Sequence, residues 1–293
     1  MKFITKFLLI FFISYLSSYS QLLLSDDKIN VFILAGQSNM AGAADASNLT
    51  SIDLKDLENA QQNISFVYNG NKSILLNVTT PPAWKRKKFQ LDSCFGPEIF
   101  FGIELSKKHP KKKFLFIKRS KGGSSLYGSW NSNWTKEKAQ YIGELNKPKL
   151  FHELINDVDR ELSNYDKSDY QIMGMLWVQG ESDSGQKWGP LPSDTYADNL
   201  TNLIQNSRSK FKSLEMPFMI MQVGSKKIGD AMKQVSKELK NVTFIAQNKD
   251  ITSYNFLPRL EDNIHYNYFG MKKIGILFAN NFNKINNNHK LIN

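Results

Sequence analysis

The sequence predicts an α/β fold: a three-layer α/β/α sandwich around a parallel sheet of about five strands. Two observations carry it. Apolar runs of strand length are continuous instead of alternating, as a sheet covered on both faces requires. These runs are separated by segments with helical periodicity, and strand followed by helix, repeated, is the signature of parallel crossovers.

Taken in order, the strands are "NVFILAG" from 30, "KFLFIKR" from 113, "IMGMLWVQ" from 172, "PFMIMQV" from 217 and "VTFIAQ" from 242. A sixth run, "ISFVYNG" from 64, has the character of an edge strand. The first clear helix is "GPEIFFGIELSKK" from 96, where Pro97 suits a first-turn position and Glu98 lies at the positive end of the helix dipole. "LFHELINDVDREL" from 150, "TYADNLTNLIQNSRSKF" from 195, "GDAMKQVSKELK" from 229 and "YFGMKKIGILFANNF" from 268 follow. The stretch 69–95 is long, sequon-bearing and Pro-containing, and is expected to be a surface insertion. The tail from 280 is rich in Asn, and one domain is expected over 21–293, with its core at about 30–280.

Composition bounds the setting. Residues 1–20 carry Lys2 and Lys6, an apolar stretch "FLLIFFISYL" and small residues at Ser18 and Ser20, the pattern of a cleaved secretory signal. The apolar stretch is shorter than the roughly 20 residues that cross a bilayer, and no other stretch is long enough, so stable membrane insertion is not expected. Seven Asn-x-Ser/Thr sequons, at Asn48, Asn63, Asn71, Asn77, Asn133, Asn199 and Asn241, agree with secretion. With Cys94 as its one cysteine the chain has no internal disulfide, so stability rests on the core. The formal charge of +11 becomes +9 without the signal; no nucleic-acid motif accompanies it, and runs such as "WKRKKF" read as solvated surface or as a field for acidic glycans.

The chemistry is expected beyond the carboxyl ends of the strands. Ser38, in "GQSNMAG", stands two residues past the first strand, either as a helix N-cap or as a nucleophile. A nucleophilic serine needs a base, and there are four histidines. His109 lies in a cationic turn, His152 in the first turn of a helix and His289 in the tail, which leaves His265. Asp262, three residues upstream, can reach its Nδ1 and leave Nε2 to take a proton. Gly122 and Gly123 follow the second strand, and Gln179 and Glu181 follow the third. The Ser38 and Gly123 N–H groups and the Gln179 amide can supply an oxyanion hole. Gln37, Asn39 and Glu181, at the same rim, are the expected substrate contacts, with Tyr127, Trp130 and Trp134 as candidate surfaces for stacking on sugar rings.

The blocks "GQSNMAG", "GGSSL", "WVQGESD" and "DNIH", in this order and spacing, resemble those of the SGNH hydrolases. More closely they resemble the sialate O-acetylesterase domain and carbohydrate esterase family 6. "FGPE" at 95–98 strengthens the likeness, which spans about 30–280. The resemblance implies a flavodoxin-like doubly wound sheet and a cofactor-free serine esterase acting on acetylated carbohydrate. It implies Ser38 as nucleophile, His265 as base and Gly123 and Gln179 as oxyanion donors. It implies Asp262 as the acid that orients His265, with Glu181, used in some relatives, as the rival. Other templates fail. "GQSNM" is not G-x-S-x-G, "GESDSGQK" lacks the Lys-Ser/Thr of a phosphate loop, and no His/Cys cluster has zinc spacing. The rival from another class is an inactive secreted glycan-binding protein on the same scaffold.

Overall fold

The structure, a computed structural model, describes residues 23–290, so the expected signal at 1–20 lies outside the described residues. In chain order the elements are β1 (Ile29–Gly36), α1 (Ser38–Ala41), β2 (Ala44–Asp45), α2 (Ser51–Gln61), β3 (Ile64–Tyr68), β4 (Ile74–Leu75) and α3 (Ala83–Phe89). Then come β5 (Cys94–Phe95), α4 (Glu98–Lys108), β6 (Lys113–Ser120), α5 (Lys136–Tyr141), α6 (Leu150–Leu162), β7 (Tyr170–Val178) and α7 (Glu181–Ser184). The chain continues with α8 (Leu191–Asp194), α9 (Tyr196–Lys210), β8 (Phe218–Met221), α10 (Lys226–Glu238), β9 (Val242–Ile245) and α11 (Tyr268–Lys290).

The main sheet has seven strands in the order β4-β3-β6-β1-β7-β8-β9. All pairings are parallel except that of β4 with β3. The expected count of about five strands was therefore low. The run from 64 forms an inner strand because the two residues of β4, too short to register as a strand in sequence, cover its outer edge. The expected helices all form, and α2 joins them. Its start is fixed by a capping box in which Thr50 and Asp53 satisfy each other's backbone N–H groups.

Helices α2, α4 and α11 pack on one face, and α6, α9 and α10 on the other. Aromatic side chains fill both layers. Phe32 of β1 meets Phe101 of α4 and Phe282 of α11 edge-on, at 5.0 and 4.8 Å between ring centroids. Trp177 of β7 meets Trp130 at 5.2 Å. The Asn-rich tail continues α11, and Asn286 accepts the Leu24 N–H there. Glu98 does begin α4, but its carboxylate is fully buried, accepting from Gly96 N–H at 3.0 Å and pairing with Lys118 Nζ at 2.6 Å.

The 69–95 stretch is more than a surface insertion: Leu76, Lys85, Leu91, Cys94 and Phe95 are buried. Two sequons do not present an acceptor in the folded chain. Asn199 is buried between Thr195 and Asn131, and both ends of the Asn63 amide are bonded, to Lys112 O and Ser106 Oγ.

Strands β6, β1 and β7 end at one level, with Gly36 opposite both Ser120 and Val178. Connections leave β1 and β7 toward opposite sides of the sheet, which makes their junction the topological switch point. The loop after β6 is exposed at 121–123 and buried at 124–130. Two buried carboxylates hold it. Asp183 accepts from the N–H groups of Leu126 (2.8 Å) and Tyr127 (2.9 Å), and Glu144 accepts from those of Ser125 (3.0 Å) and Ser129 (2.8 Å). Burial pushes the Asp183 carboxyl from 3.8 up to about 7, against the pull of these donors and of Gln179.

An Asp183→Asn substitution must turn an amide N–H₂ toward an N–H donor, and we expect it to cost about 1–3 kcal/mol in chemical denaturation. The folded wild type keeps a proton that the unfolded chain releases at the ordinary value of 3.8, so its stability falls as pH rises from there toward about 7. The penalty of the substitution, measured by denaturation across this range, is therefore largest at the acid end.

Candidate active site

The site is built at the ends of those three strands. Gly36 leaves β1 at φ +153°, where a Cβ would lie 2.1 Å from Val178 O, so only glycine allows the turn into α1. In this turn Gln37 is 3% and Asn39 0% exposed, while Ser38 is partly exposed. The fold thus leaves Ser38 the partly accessible residue of a buried polar knot. Ser38 also begins α1, where its N–H has no helical carbonyl to bond.

His265 lies in the 246–267 link between β9 and α11. Its Nδ1 is 2.7 Å from Asp262 Oδ2, and Asp262 Oδ1 accepts from the backbone N–H groups of Ile264 and His265, each at 3.0 Å. Burial alone would raise the Asp262 carboxyl, but these bonds and the neighbouring imidazole hold it well below the usual carboxylate range. The carboxylate therefore stays ionised and fixes the ring.

Asn39 joins this loop to the Ser38 turn. Its Nδ2 donates to Ile264 O at 3.0 Å, and its Oδ1 accepts from Tyr266 N–H at 3.3 Å, so one amide clasps the backbone on both sides of His265. The same Nδ2 lies 2.5 Å from Glu181 Oε1. Glu181, the alternative acid, is thus bonded to Asn39 and not to His265. Its Oε2 is buried without a hydrogen-bond partner, and burial raises its carboxyl.

Several expected roles change. Gln37, expected at the substrate, accepts from Gln179 Nε2 (3.3 Å) and Ser182 N–H (3.2 Å) within the protein. Asn39 is likewise committed to the clasp. Gln179 is fully buried, and its Nε2 is within hydrogen-bond distance of Asp183 Oδ2 (2.6 Å), Ser124 O (3.1 Å) and Gln37 Oε1. Its Oε1 accepts from Tyr196 OH at 3.1 Å. Gln179 therefore ties the rim together, with acceptors for its amide hydrogens inside the protein. Trp130 is core, and its Nε1 donates to Ser124 Oγ. Tyr127 is buried against Tyr141, and the Trp134 ring is covered by Lys149 at 3.8 Å.

The position of a Cβ on Gly122 lies 3.5 Å from Ser38 Cβ, and Gly123, at φ +66°, has open space around it. Lys147 Nζ anchors Gly123 through its carbonyl at 2.6 Å. Two residues of the 69–95 stretch, absent from the sequence-derived site, touch the His265–Asp262 pair. The Phe89 ring meets the His265 ring at 5.1 Å and 71°, and Lys88 Nζ is 3.5 Å from Asp262 Oδ2. Two surface cavities of about 540 and 410 Å³ are lined by neither Ser38 nor His265. Among the described residues no group of His, Cys, Asp or Glu is placed to hold a metal ion.

Two solved structures share the fold. A protein from Arabidopsis thaliana has a TM-score of 0.63 and 18% identity, with 88% of this chain and 98% of that one covered. A carbohydrate acetylesterase from Xanthomonas citri has a TM-score of 0.52 and 16% identity, with 85% of this chain and 54% of that one covered. No curated protein matches the chain by sequence. The family model described as carbohydrate esterase, sialic acid-specific acetylesterase, matches residues 28–284. The chain therefore belongs to this family of carbohydrate esterases, and it is a carboxylic ester hydrolase.

Proposed function

We propose that the protein is a secreted serine esterase that removes O-acetyl groups from carbohydrate, either a sialic acid or a plant or microbial polysaccharide. In this reading Ser38 is the nucleophile, His265 the general base and Asp262 the acid that orients it. The observation that carries it is the Asn39 clasp, which brings the Ser38 turn against a histidine already held by an ionised carboxylate.

Ser38 Oγ attacks the acetyl carbonyl carbon as His265 Nε2 takes its proton. The carbonyl oxygen becomes an oxyanion, which the Ser38 and Gly123 N–H groups stabilise, each by roughly 3 kcal/mol of barrier. His265 passes the proton to the sugar oxygen as the C–O bond breaks, leaving acetyl-Ser38. Water then attacks through the same base, acetate leaves and the serine regains its proton. Asp262 keeps Nδ1 protonated throughout, so that Nε2 presents its lone pair. No step requires a cofactor.

Glu144 and Asp183 support the second donor by holding the backbone that follows it. Gln179 contributes from behind, through Asp183 and Ser124. The cationic surface is compatible with an acidic sugar, and a buried rim around a partly exposed serine with a small acyl group. The apolar stretch at the N-terminus supports export.

Against 4-nitrophenyl acetate, Ser38→Ala should lose about 10³-fold or more of kcat/KM while melting near the wild type. Equal acetate release by both proteins overturns the reading in favour of an inactive glycan-binding module. Asp262→Asn should lower kcat by at least about 10²-fold, and more than Glu181→Gln does; the reverse order would make Glu181 the orienting acid. In a series of acyl chain lengths, acetate should be the fastest; rates that rise with chain length would indicate a lipid esterase. Acetate release from acetylated sialosides, xylan and pectin ranks the natural substrates.

A further inference from the structure

We infer that α3 is a brace that sets the relative position of the Ser38 turn and the His265 loop, with Phe89 and Lys88 as its positioning residues. The inference rests on the reading of Ser38 and His265 as nucleophile and base. Lys85, Lys88 and Phe89 are spaced i, i+3 and i+4, so they share one face of the helix. Lys85, 7% exposed, runs inward and donates to the carbonyl of Gly42, the residue that closes α1, with Cys94 Sγ at 3.6 Å from its Nζ. Phe89 lies edge-on to the His265 ring, at 5.1 Å. Lys88 reaches Asp262 Oδ2 at 3.5 Å while its Nζ sits 4.7 Å from the Phe89 ring centroid. One short helix is therefore bonded to the turn that bears the nucleophile and touches both members of the His265–Asp262 pair.

The physics makes this contact positional. A seven-residue helix without a side-chain N-cap does not hold itself, so α3 is where its tertiary contacts put it. An exposed ion pair such as Lys88–Asp262 contributes little to stability. His265, by contrast, sits on a link without helix or strand of its own, and its neighbours Asn263 and Ile264 are exposed. Asp262 fixes one ring nitrogen and Asn39 fixes the backbone. Phe89 walls the ring and limits its rotation about the Cβ–Cγ bond, so that in this reading Nε2 keeps one orientation. Lys85 extends the same restraint to the Ser38 turn, so that the two halves of the site move together.

The test uses the purified full chain, with kcat and KM on 4-nitrophenyl acetate and the melting temperature measured in parallel. Phe89→Ala should lower kcat by about 10-fold or more with KM little changed, because misplacement of a reacting group acts on the chemical step. Phe89→Tyr, which keeps the ring edge, should recover most of the rate. Lys88→Gln should give a smaller loss of kcat that Lys88→Arg restores. Wild-type kcat in Phe89→Ala, a loss confined to KM, or no rescue by Phe89→Tyr overturns the brace. If Phe89→Ala does not fold, the Lys88 pair decides: full activity in Lys88→Gln overturns the inference, and loss with rescue by arginine supports it. His265→Ala separates the two readings. Full activity there removes the base and the brace with it, whereas an inactive His265→Ala beside a fully active Phe89→Ala removes the brace alone.

Discussion

A single buried amide couples the two ends of this molecule. Asn39, one residue after the serine that leaves β1, accepts from Tyr266 and donates to Ile264 across 227 and 225 positions of sequence. The histidine between them has no secondary structure of its own to place it. A loop on a thin rim would let the imidazole wander by more than catalysis tolerates, since an ångström of displacement can remove much of the rate. The amide converts a loop into a fixed neighbour of the Ser38 turn, and its burial makes the bonds costly to break.

The clasp works because the sheet beneath it is level. β6, β1 and β7 end in register at Ser120, Gly36 and Val178, so three loops begin from one line. Each is then held by buried polar groups. Asp183 and Glu144 gather the N–H groups of the loop after β6, Gln179 connects that loop to β7, and Glu181 connects the turn after β7 to Asn39. These carboxylates need to be buried to define geometry, and burial raises the carboxyls of Asp183 and Glu181 above their ordinary values. The rim is thus a polar network in which most of the recognisable motif residues bond one another, and Ser38 and His265 are left partly exposed beside it.

That division explains which residues could be identified in advance. Ser38, Asp262 and His265 were singled out because their chemistry is specific: a serine at a strand end, a histidine left by elimination and a carboxylate three residues away. Gln37, Asn39 and Gln179 were expected to face the substrate because they are polar, near the serine and in recognisable blocks, yet all three side chains turn inward. Nothing in a polar side chain's identity says whether its hydrogen bonds go to a ligand or to another loop. Phe89 and Lys88 were invisible for a different reason. They belong to a stretch read as surface insertion, whose approach to His265 depends on the buried Lys85 and the turn around it.

The sequence by itself determined the α/β class, the parallel sheet and the rim at which its polar motif residues gather. Continuous apolar strands can be satisfied only by a sheet covered on both faces, and crossovers between parallel strands bring every strand's carboxyl end to the same side. Tertiary structure alone decided the edge pairing that made the run from 64 an inner strand, the bonding of Glu181 to Asn39, and the approach of α3 to the His265–Asp262 pair. Those outcomes are settled by hydrogen bonds and ring contacts between residues far apart in sequence, whose local patterns carry no record of the partner they meet.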